Sequence, residues 1–476
     1  MNKDALIEEV KQLMEDEKYE EAYSIVLKLA EEGDLDAQET LGDMYFVGEG
    51  VDRDWPKAME WLEKAALGGN PDAQWKLGTF YESGRVSDPD YEKAMEWYMK
   101  SAEADNPNGQ ENVADMYFRG RGVDEDDEKA MEWLEKAAAQ DNPDAQFKLG
   151  TFYQYGRVVE KDIEKAIALY EKAAEQGNAE AQIALGDIYA FGDGVDIDYK
   201  KAREWYLKAA DQENPEGQRS MGFLYENGYG VDKDLRIARE WYEMAAAQGH
   251  AEAQDKLGDM YRYGAGVDQN YAAAFAWYQK AAEQDDDEAQ ASLGWMYSNG
   301  YGVEKDLPKA FEWYMKAAEA GNPTGEYSVG AMYECGAGVE EDLSKAMEWY
   351  QKAAGQNYPD AQTSIGDLYL FGKGVEQDDE KAREWFEKAA AQDDMDAKWR
   401  LGILYENGFG VEKDEEKAAD FYKEAADSDN PGGQYHLGML YKEGLGVPKD
   451  LDKARELLQK AAENGQEDAA EELKKL

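Results

Sequence analysis

The sequence predicts an all-α protein, a solenoid of antiparallel helix pairs built from 36-residue repeats. Three observations carry this. An offset of 36 residues aligns almost the whole chain with itself without an insertion, apolar residues recur at helical spacing, and no stretch alternates as a strand would. Tyrosine recurs in steps of 36 from Tyr45 to Tyr441, alanine from Ala58 to Ala454 and glycine from Gly48 to Gly444. A tryptophan slot runs from Trp61 to Trp385, and Leu169, Phe421 and Leu457 fill it in the remaining units. Twelve units occupy residues 36–467, with 1–35 in front and 468–476 behind.

Residues 1–35 predict a capping helical hairpin, whose Ala22 lies one period before Ala58 but whose turn lacks the glycine loop of the later units. Within a unit, Asn70-Pro71 signals a helix start: Asn caps free N–H groups, and Pro at the first position loses a donor that had no partner. This first helix, helix A, runs to about Ser83 with Ala73, Leu77, Phe80 and Tyr81 on one stripe, and Gly84 ends it in a left-handed cap. A glycine loop follows, and Asp54, Asp90, Asp126, Asp162, Asp198 and Asp234 are placed to cap the second helix, helix B. Helix B carries Ala58, Trp61, Leu62, Ala65 and Ala66 at helical spacing. Residues 468–476 predict a closing helix that keeps Ala469 and Leu473 in the core slots of helix A.

With 105 Asp and Glu against 52 Lys and Arg, the net charge is −53, which repels nucleic acid and anionic membrane faces. The chain is 43% hydrophobic, too apolar for a solvated coil. Cys335 is the single cysteine, so no intrachain disulfide forms. With no signal peptide or membrane span in view, the expected setting is cytoplasmic and the expected state a monomer.

Catalysis usually needs a histidine, an activated cysteine or a desolvated carboxylate pair at a unique place. His250 and His436 fall in different units and different phases, where surface or core-edge roles suit them, and Cys335 reads as a plain packed thiol. Zinc-ligand spacing is absent, acidic loop runs such as Asp124–Asp126 read as helix caps rather than calcium loops, and the Gly-x-Gly element follows no strand. The expectation is a non-enzyme with no cofactor and no metal.

The stretch Gly192 to Gln218, with Leu-Gly before the tyrosine and Lys-Ala-Ala late in helix B, resembles the Sel-one-like repeat (SLR) family, a branch of the tetratricopeptide-like α-solenoids. The resemblance covers all twelve units. It implies a right-handed superhelix, a tetratricopeptide-like N-terminal cap and a protein-interaction role. Val86 and Val158 depart from it at the second loop glycine, Ala114 at the helix-A glycine, and Ile237 and Ala273 at the helix-B lysine. Some cysteine-rich relatives are linked to β-lactam binding, which makes a β-lactam or cell-wall-related hydrolase or binding protein the alternative; the paired cysteines of those relatives and a repeated serine–lysine constellation are absent here, which argues against it. Twelve units of identical length also fit a duplicated or engineered array with no evolved partner.

One face of helix A varies from unit to unit. Along it lie Trp75, Phe147, Trp295, Tyr327, Trp399, Tyr435 and Phe223, the carboxylates Asp43, Asp115, Asp187, Asp259 and Asp367, and near the helix end Tyr155, Phe191, Tyr263 and Phe371. Residues four apart share a helix face, and by resemblance that face lines a concave groove. Aromatics among carboxylates suit a protein or peptide segment with apolar anchors and basic flanks. Those aromatics either meet a partner or pack between adjacent A helices. On the first reading, Trp75→Ala or Trp399→Ala weakens a partner without melting the array, whereas Trp205→Ala in the framework costs about 3–5 kcal/mol.

Overall fold

Each repeat folds as two helices of similar length because both are capped by side chains the period repeats. In the computed structural model, which describes residues 3–476, Asn70 Oδ1 accepts the Ala73 N–H at 2.8 Å at the start of an A helix, Pro71–Ser83. Asp54 Oδ1 accepts the Lys57 N–H at 3.1 Å at the start of a B helix, Trp55–Leu67. Among the described residues there are 27 helices and no strand. None of these helices is long and apolar enough to cross a membrane.

The loop between A and B is held by the invariant tyrosine through its backbone: the Asp54 N–H donates to the Tyr45 carbonyl at 2.9 Å, and Asp306 to Tyr297 likewise at 2.9 Å. Two glycines make the loop possible. Gly300 closes helix A at φ 77°, and Gly302 has φ 68° with its Cα so near the previous repeat that a Cβ would meet the Tyr271 carbonyl oxygen at 2.2 Å. Val158, in the second of these slots, is forced to φ 67°, a conformation that costs a β-branched residue dearly.

The deepest aromatic slot is not the tryptophan but its neighbour. Tyr98, Tyr170, Tyr206, Tyr278, Tyr350, Tyr422 and Phe386 are almost wholly buried. Each faces the helix-A glycine twenty residues earlier: a Cβ at Gly150 would stand 2.6 Å from the Tyr170 ring, and one at Gly78 would stand 2.5 Å from Tyr98. Ala114 departs from the glycine pattern, and the residue opposite it is Leu134 in place of a ring; at the equivalent Gly42, a Cβ would stand 2.7 Å from Leu62, so a leucine in this slot shifts to take the methyl. The tryptophans are only partly covered, at the edge of the B row. A lysine three residues on lies over every ring of the slot except Trp241, where Met244 takes that position, with Lys64 at 3.7 Å from Trp61 and Lys208 at 3.6 Å from Trp205. Part of the Trp205 ring therefore stays near solvent, and the cost expected for Trp205→Ala falls to about 1–3 kcal/mol.

Neighbouring repeats are tied by a ladder in which an exposed glutamine reaches back to a buried one. Gln176 Nε2 donates to Gln146 Oε1 at 2.9 Å, Gln212 to Gln182 at 2.8 Å and Gln284 to Gln254 at 2.9 Å. Cys335, expected as a packed thiol, is exposed at the end of its A helix. His250 caps a helix through Nδ1, and His436 sits between the Trp399 and Tyr422 rings.

The chain divides into two compact units, Met1–Asp234 and Leu235–Leu476, each a run of stacked helix pairs. In the first, helices Lys3–Glu15 and Tyr19–Glu31 precede the first repeat; residues 1 and 2 of the predicted 1–35 hairpin lie outside the described residues. In the second, the short helix Glu467–Leu473 buries Ala469 against Leu458 and Ala461.

Candidate partner-binding site

Within each unit, successive A helices approach one another, as Pro71–Ser83 does Pro107–Arg119 and Pro431–Glu443 does Met395–Asn407. Their variable faces therefore form a row, and the predicted site residues fall on it in two layers.

The inner layer is built into the framework. Trp75 donates its indole N–H to Asn112 at 2.6 Å, and Trp399 lies over Gly432, where a Cβ would stand 2.5 Å from its ring. Phe147 meets Tyr170 at 5.7 Å, Phe223 meets Tyr229 at 5.6 Å, and Tyr327 meets Tyr350 at 5.7 Å. Trp295 stacks on Tyr301 at 5.0 Å with the Arg262 guanidinium 3.6 Å over its ring, and Tyr435 meets His436 edge-on at 5.3 Å. All seven are partly buried. Substituting Trp75 or Trp399 therefore removes stability as well as surface.

The carboxylates have partners within the chain, and the neighbouring slots decide which. A buried phenol needs an acceptor. Tyr206 donates to Asp187 and Tyr278 to Asp259, both at 2.6 Å. Where the deep slot holds Leu62, Leu134 or Phe386 there is no hydroxyl, and the aspartate takes a cation from the next repeat instead. Lys76 binds Glu39 and Asp43 together, Lys148 binds Glu111 and Asp115, and Arg400 grips Asp367 through two nitrogens. Burial pushes the Glu111 carboxyl up, against the pull of Lys148. At Asp115, burial is outweighed by Lys148 and Arg119, and the carboxyl settles below its ordinary range. Burial likewise raises Asp187. The remaining phenols reach an acceptor one turn further along helix A: Tyr98 donates to Glu82 at 2.7 Å and Tyr422 to Glu406 at 2.6 Å.

The outer layer is open. Tyr155 is 75% exposed, Phe191 and Tyr263 65% each and Phe371 63%, all at the last position of their A helices. A cleft of about 380 Å³ opens between Phe371, Leu370, Trp399, Ile403 and Phe409, with Asp367 and Arg400 at its edge. Sequence reasoning named both layers but had no signal to separate them. Among the described residues no three His, Cys, Asp or Glu gather as metal ligands would.

Twelve consecutive segments, from 35–70 to 431–466, match the Sel1 repeat. The chain is similar to a protective antigen of uropathogenic Escherichia coli strains displaying an SLR fold, with 37% identity over 88% of this chain and 91% of that one and a TM-score of 0.69. It is also similar to a Sel1 repeat protein from Oxalobacter formigenes, with 33% identity over 70% of this chain and 95% of that one and a TM-score of 0.50. No curated protein matches the sequence. Solenoids of this kind are typical protein–protein interaction scaffolds, generally without catalysis. On twelve matched repeats, the chain belongs to the Sel1 repeat family.

Proposed function

We propose that the A-helix row of each unit is a docking face for a segment of another protein that carries apolar anchors and basic flanks. The observation supporting this reading is the outer layer: Tyr155, Phe191, Tyr263 and Phe371 expose large rings at one repeated position beside a row of carboxylates. Burying such a ring against a partner is worth about 1.5–3 kcal/mol, so two of them suffice to hold a peptide segment at modest affinity. The net charge of −53 draws basic flanks to the face and sets the encounter rate.

The test is selection of binders from a random peptide display library on the whole chain, followed by Tyr155→Ala and Phe371→Ala. The selected peptides should be enriched in apolar and basic residues, bind these variants at least about tenfold more weakly, and leave thermal unfolding within about 0.5 kcal/mol of the parent. Binding should also weaken as salt rises, because charges more than about 10 Å apart are screened at 0.1 M. Peptides indifferent to both substitutions would remove this reading.

A further inference from the structure

The repeat supplies its own control for one acid pair that lacks the clamping cation of the next repeat. Glu39 with Asp43 and Glu111 with Asp115 are each clamped by a lysine from the next repeat, 37 residues beyond the first acid. Asp255 and Asp259 occupy the same two slots, and the clamping position there is Ser292. Asp259 is used by Tyr278, which donates to it at 2.6 Å. Asp255 is not used: it is 5% exposed, and among the described residues it accepts no hydrogen bond. The Lys256 ammonium, on the same helix, stands 3.9 Å from both carboxylates, beyond hydrogen-bond reach.

Ser292 leaves an actual space. Asp255, Asp259, Glu288 and Ser292 line a cleft of about 470 Å³ together with the cations Lys256 and Arg262 and the rings of Trp295, Tyr314 and Tyr327. Tyr358 closes one end, in a slot that holds the capping Asn in several other repeats, and its ring meets Tyr327 at 5.4 Å. With Asp259, Asp286 and Glu288 around it and no donor of its own, the Asp255 carboxyl is pushed up to about 8, first by burial and then by these neighbours. An ammonium group brought in from outside restores the clamp that Lys76 and Lys148 provide in their own repeats.

Resting on the docking-face reading above, we propose that this cleft is a lysine-specific subsite, in which a partner's lysine side chain fills the notch left by Ser292 and pairs with Asp255 beside the Tyr314 and Tyr327 rings. These tyrosines receive the aliphatic stem, the faces of Trp295 being taken by Tyr301 and Arg262, and the buried acid selects the charged head over an apolar one of equal length.

The probes are N-acetyl-lysine methylamide and N-acetyl-norleucine methylamide, titrated into the whole chain by saturation-transfer NMR. The lysine compound should bind at least about tenfold more tightly than the norleucine compound, and both Ser292→Lys and Asp255→Asn should abolish that preference. Ser292→Lys should also raise the unfolding midpoint, because its own ammonium then occupies the notch; should that variant not fold, Asp255→Asn carries the binding test. Equal binding of the two probes to the parent, or a lysine preference that survives both substitutions, overturns the proposal. Failure here with display-selected peptides still lost in Tyr155→Ala and Phe371→Ala sinks the subsite alone. A lysine preference that depends on Asp255, with peptides indifferent to those aromatics, sustains the subsite and sinks the wider face.

Discussion

The glycine of helix A and the aromatic of helix B form a size-matched pair, and a double substitution in one repeat tests it. A methyl added by Gly150→Ala would stand 2.6 Å from Tyr170 Cε1, well inside contact distance, and the ring has no free side to move toward. Overpacking of this kind costs about 1–3 kcal/mol, while alanine in place of a mid-helix glycine returns about 0.5–1 kcal/mol. The net expectation is a loss of about 1–2 kcal/mol. In the Y170L background the pair becomes that of Ala114 and Leu134, in which the flexible leucine yields to the methyl as the packed ring cannot, and the same G150A change should stabilise by up to about 0.5–1 kcal/mol. This repeat is the right one because the Tyr170 hydroxyl donates to the neutral Gln154 at 2.8 Å, so removing it strands no charge. A melt of the whole array would blur the effect, since long repeat proteins lose two-state behaviour. Amide hydrogen exchange in Pro143–Tyr155 and Ile163–Glu175 reads it locally. Exchange there should quicken about 5–30-fold for G150A alone and slow for G150A on Y170L. The same sign in both backgrounds would refute the size-matching account.

Val158→Gly should stabilise its loop by about 1 kcal/mol, the relief of a left-handed β-branched residue less the entropy of glycine, read as slower exchange around residues 156–162. Lys148→Met should cost about 1–3 kcal/mol by leaving Glu111 without its cation and Asp115 with Arg119 alone, and a Lys148→Arg variant should recover most of it in the same chemical unfolding assay. Asp255 faces Asp259, Asp286, Glu288 and Lys256, and its carboxyl rises from 3.8 to about 8 on folding. Between those values the native state keeps a proton that the unfolded chain releases, so its share of the stability falls as pH rises, with a slope of up to about 1.4 kcal/mol per pH unit. The advantage of Ser292→Lys over the parent should therefore widen from pH 5 to pH 8; a constant difference would show that Asp255 does not titrate in that window.

The fold was legible because the period fixes the helices and the caps fix their ends: Asn70 and Asp54 mark starts, Gly84 a stop, and the observed helices begin and end there. Burial was less legible. Trp97 and Tyr98 are adjacent large aromatics, and nothing local says that the tyrosine goes inward and the tryptophan to the rim. The signal lies twenty residues away, where Gly78 faces Tyr98 and the exceptional Ala114 faces Leu134. The site was legible as a face and not as chemistry. Helical phase placed Asp43 and Trp75 together, but whether either is free depends on residues 33 to 37 positions on, Lys76 for the first and Asn112 for the second.

That long-range dependence changes what variation on the A face means. A slot that differs between repeats looks like a recognition surface, yet here much of the variation is internal bookkeeping. Where the deep slot is Tyr98, Tyr170, Tyr350 or Tyr422, the aspartate slot holds Thr79, Thr151, Ala331 or Ile403 and the acceptor moves to Glu82, Gln154, Glu334 or Glu406. Where the deep slot has no hydroxyl, Asp43, Asp115 and Asp367 bring a lysine or arginine with them from the next repeat. Each of these phenols gets an acceptor and each of these acids a cation, so the choices are coupled by the cost of burying an unpaired polar group. Subtracting the residues so explained leaves two kinds of feature on the face: rings that stay in water at Tyr155, Phe191, Tyr263 and Phe371, and the buried acid at Asp255 whose clamp is missing. Neither lowers the energy of the isolated array. A surface that carries an unrelieved cost at one point and unburied rings at four others is one whose free energy falls when something binds, and its partner should be sought by those two features rather than by net charge alone.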